Sequence, residues 1–227
     1  MSKENTMDYG KLVGDSFDYA KEGLEGKWRT WFLLLISCII FPLIMGYMVR
    51  IYRGATPAPE PDQWGSLFID GIKLLVVGII YALPVIILGI AFLGSAGMVL
   101  FLEGANPYTN PEVFIGLLGA IFIGVLIFLV VAIIIGLFST IAYVRFARTG
   151  RFGDAFNFGA ILDHIGKIGW LSYILALVIL VIMVSIIQII LMTIPFIGII
   201  LLLLLLPFII IFATRYITLV YDSAGAV

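Results

Sequence analysis

The chain has 227 residues, of which 63% are hydrophobic and 12% are charged, and its net charge at pH 7 is −1. A soluble domain is about 25% charged, so this composition excludes an ordinary soluble protein. The near-zero net charge provides no basic face for nucleic acid. Apolar blocks long enough to cross a bilayer, which takes about 20 residues per helix, predict an all-α, polytopic transmembrane helix bundle.

Three amphipathic helices are predicted beside the apolar runs. The first covers residues 7–27, where apolar side chains recur every three or four positions from Tyr9 onwards. Because it leads directly into an apolar run, we expect it to lie in the plane of the membrane interface. The other two are predicted near residues 64–73 and 154–167, the last with Asp154 as its N-cap.

Five apolar runs are predicted to cross the membrane. The first contains Pro42, which favours a kink. A bend there that returns the segment as a re-entrant hairpin is the alternative, but each arm would have only about 10 residues, so length favours a full crossing. Residues 94–112 are expected to form a loop. The spans lie near residues 28–50, 74–93, 113–145, 168–193 and 196–220.

The order of these parts predicts a single membrane domain, residues 1–227, built from repeats. An interfacial helix followed by crossings that end in a small residue and an arginine occurs about three times, as in many membrane folds. Lys and Arg lie in the linkers 51–73 and 146–167 but not in the loop 94–112. The positive-inside rule therefore places both linkers in the cytoplasm. Five crossings would then put the N-terminus outside, despite its own lysines.

The basic residues near the run ends are candidate contacts for lipid headgroups. Gly116, Ala120 and Gly124 are spaced by four and are candidate helix-packing residues, since small side chains let two helices approach closely. The candidate headgroup contacts are Arg50, Arg53, Lys73, Arg145, Arg148, Lys167 and Arg215.

The deep parts of the apolar runs contain no ionisable residue, so neither a proton relay nor an ion path is predicted. Gln188 is the most polar deep residue, and we expect it to hydrogen-bond to a neighbouring helix. His164 is interpreted as an interface residue, because a general base needs a nucleophile and an orienting partner. The single Cys38 excludes a cysteine metal site, and one histidine is too few for another kind. We therefore predict no catalytic residue, cofactor or metal.

Three stretches carry a resemblance to a known family. Gly46-Tyr47-Met48-Val49-Arg50, the tryptophan-glycine to aspartate-glycine-x-lysine stretch 64–73, and Tyr81-Ala82-Leu83-Pro84 resemble multi-pass membrane proteins of unknown function found mainly in archaea. The layout is more distantly similar to the membrane domain of some bacterial glycerophosphodiester phosphodiesterases, in which the hydrolase is a separate soluble domain. The resemblance implies a helical bundle in an archaeal plasma membrane and no assigned activity.

The sequence leaves three functions open. A non-catalytic membrane protein that organises lipid or self-associates as a homo-oligomer is favoured by the interfacial helices and the small-residue stripe. The alternative is a channel or transporter for an uncharged or lipid-like solute, favoured by the repeats and the kinking prolines. A lipid-modifying enzyme using Asp70, Asp163 and His164 ranks last, because these residues belong to separate repeats.

Overall fold

The computed structural model of the protein describes residues 7–103 and 110–225. All regular elements in these two ranges are helical, which confirms the all-α prediction. The elements are α1 (Tyr9–Leu24), α2 (Trp28–Ile39), α3 (Phe41–Tyr52), α4 (Trp64–Glu103), α5 (Pro111–Thr149), a 3-10 helix (Phe152–Phe156), α6 (Phe158–Ile168), α7 (Trp170–Met192) and α8 (Ile197–Asp222).

Four helices of the described chain, α4, α5, α7 and α8, are long and apolar enough to cross a membrane, compared with the five spans expected. The segment 28–50 instead forms α2 and α3, which have 12 residues each and meet at Ile40. Each is about 18 Å long, too short for about 30 Å of hydrocarbon. Pro42 lies in the first turn of α3, where a missing N–H costs nothing, so the chain breaks just before it.

Two predicted boundaries also differ from the structure. The segment 64–73 is the first part of α4, a single 40-residue helix that continues through Pro84 to Glu103, so residues 94–103 are helical and not a loop. Residues 104–109 lie outside the described chain. The helix predicted from Asp154 begins at Phe158, because the Asn157 side chain caps it by accepting a hydrogen bond from the Ala160 N–H at 3.1 Å.

The described residues fall into two compact units, where the sequence predicts one membrane domain. Unit 1 combines the parts of Met1–Val77 and Thr140–Val227 that the structure describes, and unit 2 is Gly78–Ser139. Within unit 2, the α4 and α5 segments pack through Phe92, whose ring occupies the place that a Cβ on Gly124 would need. Ala120 lines a small cavity beside the same ring. A Cβ on Gly116 would meet no heavy atom within 4 Å.

The C-terminal half of α8 forms the centre of unit 1. Helices α1, α2, α3 and α7 all pack against α8. The Tyr216 hydroxyl donates to the Ala176 carbonyl of α7 at 3.0 Å, and the rings of Phe17 in α1 and Phe208 meet edge to face at 5.4 Å. A helix that is buried on most of its faces lies inside a bundle. The buried residues of this half are Pro207, Ile209, Ile211, Phe212, Thr214, Tyr216, Thr218 and Val220.

Helices α3 and α4 cross at two glycines in unit 1. A Cβ on Gly46 would overlap the Leu67 carbonyl, and a Cβ on Gly71 would overlap the Pro42 carbonyl. Since the lower-numbered residue of α3 meets the higher-numbered residue of α4, the two helices run antiparallel. Glycine is required at both positions because the backbones are in direct contact.

The chain from α1 to α3 begins and ends at the same end of unit 1. Asp8, just before α1, lines one cavity with Asp222 at the end of α8. The Tyr52 carbonyl at the end of α3 accepts a hydrogen bond from Arg148 at 2.6 Å, and Arg148 also binds Asp222. Residues 8–52 therefore begin and end at one end of unit 1, and the break at Ile40 between α2 and α3 corresponds to the bent, hairpin alternative for residues 28–50.

Candidate functional site

Five arginines near helix ends lie together at one end of unit 1, and we call them the arginine cluster. We call this end the linker end, because the linker 53–63 lies there. The cluster is built where α3, α5 and α8 end, beside the linker 53–63. Its members hold this linker and the helix ends together through their guanidinium groups. The members are Arg50, Arg53, Arg145, Arg148 and Arg215.

Arg50, in the last turn of α3, binds the linker through an ion pair and hydrogen bonds. Its guanidinium forms an ion pair with Asp62 and donates to the Glu60 carbonyl at 3.0 Å and to the Asp62 carbonyl at 2.9 Å. The neighbouring Tyr47 hydroxyl donates to the Pro59 carbonyl at 2.9 Å. A guanidinium provides five donors in a planar fork, so a single side chain can hold several linker acceptors.

Arg53 and Arg148 cap each other's helices. Arg148 of α5 donates from Nε to the Tyr52 carbonyl at the end of α3, and Arg53 donates from Nε to the Ala147 carbonyl in the last turn of α5 at 3.3 Å. The last carbonyls of a helix lack intrahelical donors and carry partial negative charge. Both arginines therefore satisfy groups that would otherwise stay unpaired.

Carboxylates orient the same two arginines. Arg53 forms an ion pair with Asp70 at 2.7 Å, and one Arg148 nitrogen lies 2.8 Å from both carboxylate oxygens of Asp222. These pairs are partly exposed, so their Coulomb energy is screened by solvent. Their main effect is to fix the guanidinium planes that cap the helices.

Arg215 of α8 lies over an aromatic ring of α1. Its guanidinium carbon is 4.6 Å from the centroid of the Tyr19 ring. Its Nη1 donates to the Thr56 hydroxyl at 3.5 Å. The Tyr19 hydroxyl donates to the Ala55 carbonyl at 2.8 Å. Burial raises the pKa of Tyr19 to about 12, against the opposing effect of the nearby Arg215 charge. Tyr19 thus stays neutral and joins α1 to the linker.

The seven predicted headgroup contacts have different surroundings. The arginine cluster accounts for five of them, and Arg145 donates to the Asp154 carbonyl at 3.2 Å. Lys167 pairs with Asp163 at 3.0 Å on the surface of α6, and Lys73 is exposed on α4. Contact of these residues with lipid stays a prediction. Their internal partners establish a second role for the arginines, which is to hold the linker end of unit 1 together.

His164 is buried between α6 and the end of α8. Its ring stacks on Tyr221 at 3.8 Å between centroids, and its Nε2 donates to the Tyr221 carbonyl at 3.0 Å. Burial lowers the pKa of His164, as do the positive charges of Arg145 and Lys167, while the Tyr221 hydrogen bond and Asp222 oppose them. The neutral imidazole with a proton on Nε2 is therefore the folded form.

The lowered pKa of His164 predicts loss of stability in mild acid. Because the unfolded chain has the higher histidine pKa, near 6.5, it binds the proton first as the pH falls. We expect the apparent melting temperature in detergent to decrease between pH 7 and pH 5.5. In a His164→Phe variant, which keeps the ring but cannot titrate, this decrease should be smaller. Parallel pH profiles of the two proteins would contradict the assignment.

The residues considered for catalysis are not assembled around one point. Asp70 is bound to Arg53, Asp163 is bound to Lys167, and His164 faces Tyr221. Among residues 7–103 and 110–225, no group of three His, Cys, Asp or Glu could hold a metal ion. Gln188 is exposed on α7 and has no hydrogen-bond partner in the described chain, so the expected bond to a neighbouring helix is absent.

Several residues of the site were missed in the sequence. Asp62 and Asp222 are the carboxylate partners of Arg50 and Arg148, and the Arg215 guanidinium lies over the Tyr19 ring. The proline-rich linker could have predicted the contacts of Arg50. A stiff segment directly after an arginine-rich helix end keeps its backbone carbonyls within reach of those arginines. Asp222 gave no local signal, since its partner is 74 residues away.

Comparison with known proteins identifies a family. No curated protein and no solved structure matches the chain. The family described as "Protein of unknown function (DUF4013)" matches residues 31–196, which include α3, the linker 53–63, α4, α5 and α6. The match covers most of the chain, so the protein belongs to this family of proteins of unknown function.

Proposed function

We propose that the protein is a non-catalytic structural component of a membrane that organises lipid in one leaflet and associates with copies of itself. The observation that carries this proposal is the asymmetry of unit 1. At one end of α7 and α8 lie α1, α6, the end of α3 and the linker 53–63, while at the other end residues 193–196 form only a tight turn. Amphipathic helices gathered at one end would occupy a large area of one leaflet.

The arginine cluster supports a structural role. Its guanidinium groups are used for caps and ion pairs inside the chain, which keeps the short helices fixed at the linker end. The exposed apolar faces of α7 and the N-terminal half of α8 leave a surface for lipid or for a second copy. Arg50 and Arg53 have the same spacing as Arg145 and Arg148, and their reciprocal bonds favour an internal repeat.

The gathering of α1, α6 and the linker 53–63 at one end of unit 1 supports one orientation of the chain in the membrane. We infer that the N-terminus and the linkers 51–73 and 146–167 all face the cytoplasm of an archaeal plasma membrane, with four crossings and one hairpin. This arrangement places the lysines of α1 on the same side as the arginine cluster, in agreement with the positive-inside rule. The archaeal assignment is supported by the sequence resemblance alone.

Single cysteines would test this sidedness in a Cys38→Ala background. We expect Asp18→Cys and Asn157→Cys to be protected from an impermeant thiol reagent in intact cells, and Glu112→Cys to be labelled. All three side chains are exposed, so protection would reflect the membrane and not burial in the protein. Labelling of residues 18 and 112 together, with residue 157 protected, would contradict this orientation and support five crossings.

Reconstitution would test the proposed function. The purified protein is inserted into liposomes, and vesicle shape by electron microscopy is measured in parallel with solute flux. We expect changed vesicle shape at increasing protein density, a particle larger than one chain, and no saturable uptake. Saturable uptake of a defined solute by a monomer, with unchanged vesicles, would instead support the transporter for an uncharged or lipid-like solute.

A further inference from the structure

An apolar groove lies where α2 packs against the N-terminal half of α8. Its volume is about 460 Å³, within the range of roughly 300–1,000 Å³ that is usual for small-molecule sites. The lining residues of α2 recur at intervals of three, four and seven, so they form one face of that helix. The groove is lined by Trp28, Trp31, Phe32, Leu35, Leu201, Leu204 and Leu205.

Two tryptophans form a preformed wall of this groove. The Trp31 indole donates to the Leu204 carbonyl at 2.9 Å, which fixes the ring between α2 and α8. The Trp28 ring stacks on it at 5.8 Å with an interplanar angle of 10°, and Trp28 is 78% exposed. A stacked pair of indoles with one exposed ring is typical of the boundary between headgroups and hydrocarbon chains.

Positive charge flanks the tryptophan at the start of the groove. Lys27 and Arg29 precede and follow Trp28 in the chain, and both are exposed. Neither side chain has an ion-pair partner among the residues that the structure describes. The nearest acidic residue in the chain, Glu25, is paired with Lys21 at 3.6 Å. The apolar groove and the two free cations are therefore complementary to an amphiphile with a negative head.

We propose that this groove binds one membrane lipid with an anionic phosphate headgroup. A hydrocarbon chain of the lipid lies between α2 and α8 against the tryptophans, and the phosphate contacts Lys27 and Arg29. Each basic side chain near the membrane surface strengthens the binding of an anionic headgroup roughly fivefold. The site rests on the proposed lipid-organising function and names its ligand class.

Tryptophan quenching tests the site directly. Trp64→Phe and Trp170→Phe leave Trp28 and Trp31 as the reporters, and the protein is placed in vesicles that contain phosphatidylglycerol or phosphatidylcholine with the same brominated acyl chain. We expect half-maximal quenching at a roughly 30-fold lower fraction of phosphatidylglycerol, because Lys27 and Arg29 each contribute about a fivefold preference for an anionic headgroup.

Paired charge removals provide the control. Lys27→Gln with Arg29→Gln should abolish the preference, whereas Lys11→Gln with Lys21→Gln, which removes equal charge from α1, should retain it. Equal quenching by the two lipids, no quenching, or a preference that survives loss of Lys27 and Arg29 would each overturn the site. Vesicle shape measured on the same samples separates this outcome from failure of the proposed function.

Discussion

Gly71→Ala is expected to destabilise the protein by about 3 kcal/mol or more, or to prevent folding. A methyl group at this position would overlap the Pro42 carbonyl, which belongs to the backbone of α3 and cannot rotate away. Overpacking that only displaces side chains costs about 1–3 kcal/mol, and separating two helices costs more. Gly46→Ala should have a similar effect, because its methyl group would overlap the Leu67 carbonyl.

A matched control is available on the same helix. At Gly65 an added Cβ would meet no heavy atom within 4 Å, so Gly65→Ala should be neutral or stabilise α4 by up to about 1 kcal/mol. The folded fraction of each variant can be measured by size-exclusion chromatography in detergent after heating. Equal tolerance of Gly65→Ala and Gly71→Ala would show that α3 and α4 do not cross at this point.

Arg148→Ala is expected to cost roughly 2–3 kcal/mol of stability. The substitution removes the donor for the Tyr52 carbonyl, and an unsatisfied buried acceptor costs about 1–3 kcal/mol. The lost pair with Asp222 adds at most about 1 kcal/mol, because both side chains are partly exposed. Arg148→Lys should recover only part of the loss, since an ammonium group cannot reproduce the planar fork.

Arg151 is the corresponding surface control. It pairs with Asp154 at 3.0 Å, but its side chain is 78% exposed, so Arg151→Ala should cost less than about 1 kcal/mol. Unfolding of the purified variants in detergent, followed by circular dichroism, gives the comparison. If Arg148→Ala and Arg151→Ala lose the same small amount of stability, the reciprocal caps do not hold the linker end together.

These two predictions concern stretches to which the sequence pattern assigns other roles. The stretch 46–50 carries part of the family resemblance, and the arginines near the run ends are predicted to contact lipid headgroups. The structure shows that Gly46 lies at a backbone crossing and that Arg50 binds the linker. Sequence spacing places such residues on a helix face, but it does not reveal which backbone meets that face.

The hairpin at residues 28–50 shows the same limit. Composition identified an apolar segment with Pro42 inside it, and length favoured a full crossing. The structure ends α2 at Ile39 and returns α3 to the linker end, where Arg148 binds the Tyr52 carbonyl. That contact joins residues 96 positions apart, so no local pattern could have distinguished the hairpin from a kinked span.

By itself, the sequence determined the class of protein. Long apolar blocks can satisfy backbone hydrogen bonds in lipid only as helices, so an all-α membrane protein with its basic residues near helix ends was predictable. Only the tertiary structure decided the number of long helices, the crossing at Gly46 and Gly71, and the partners of the arginines. The physical reason is that hydropathy is set residue by residue along the chain, whereas backbone overlap and carbonyl capping depend on segments that meet only after folding.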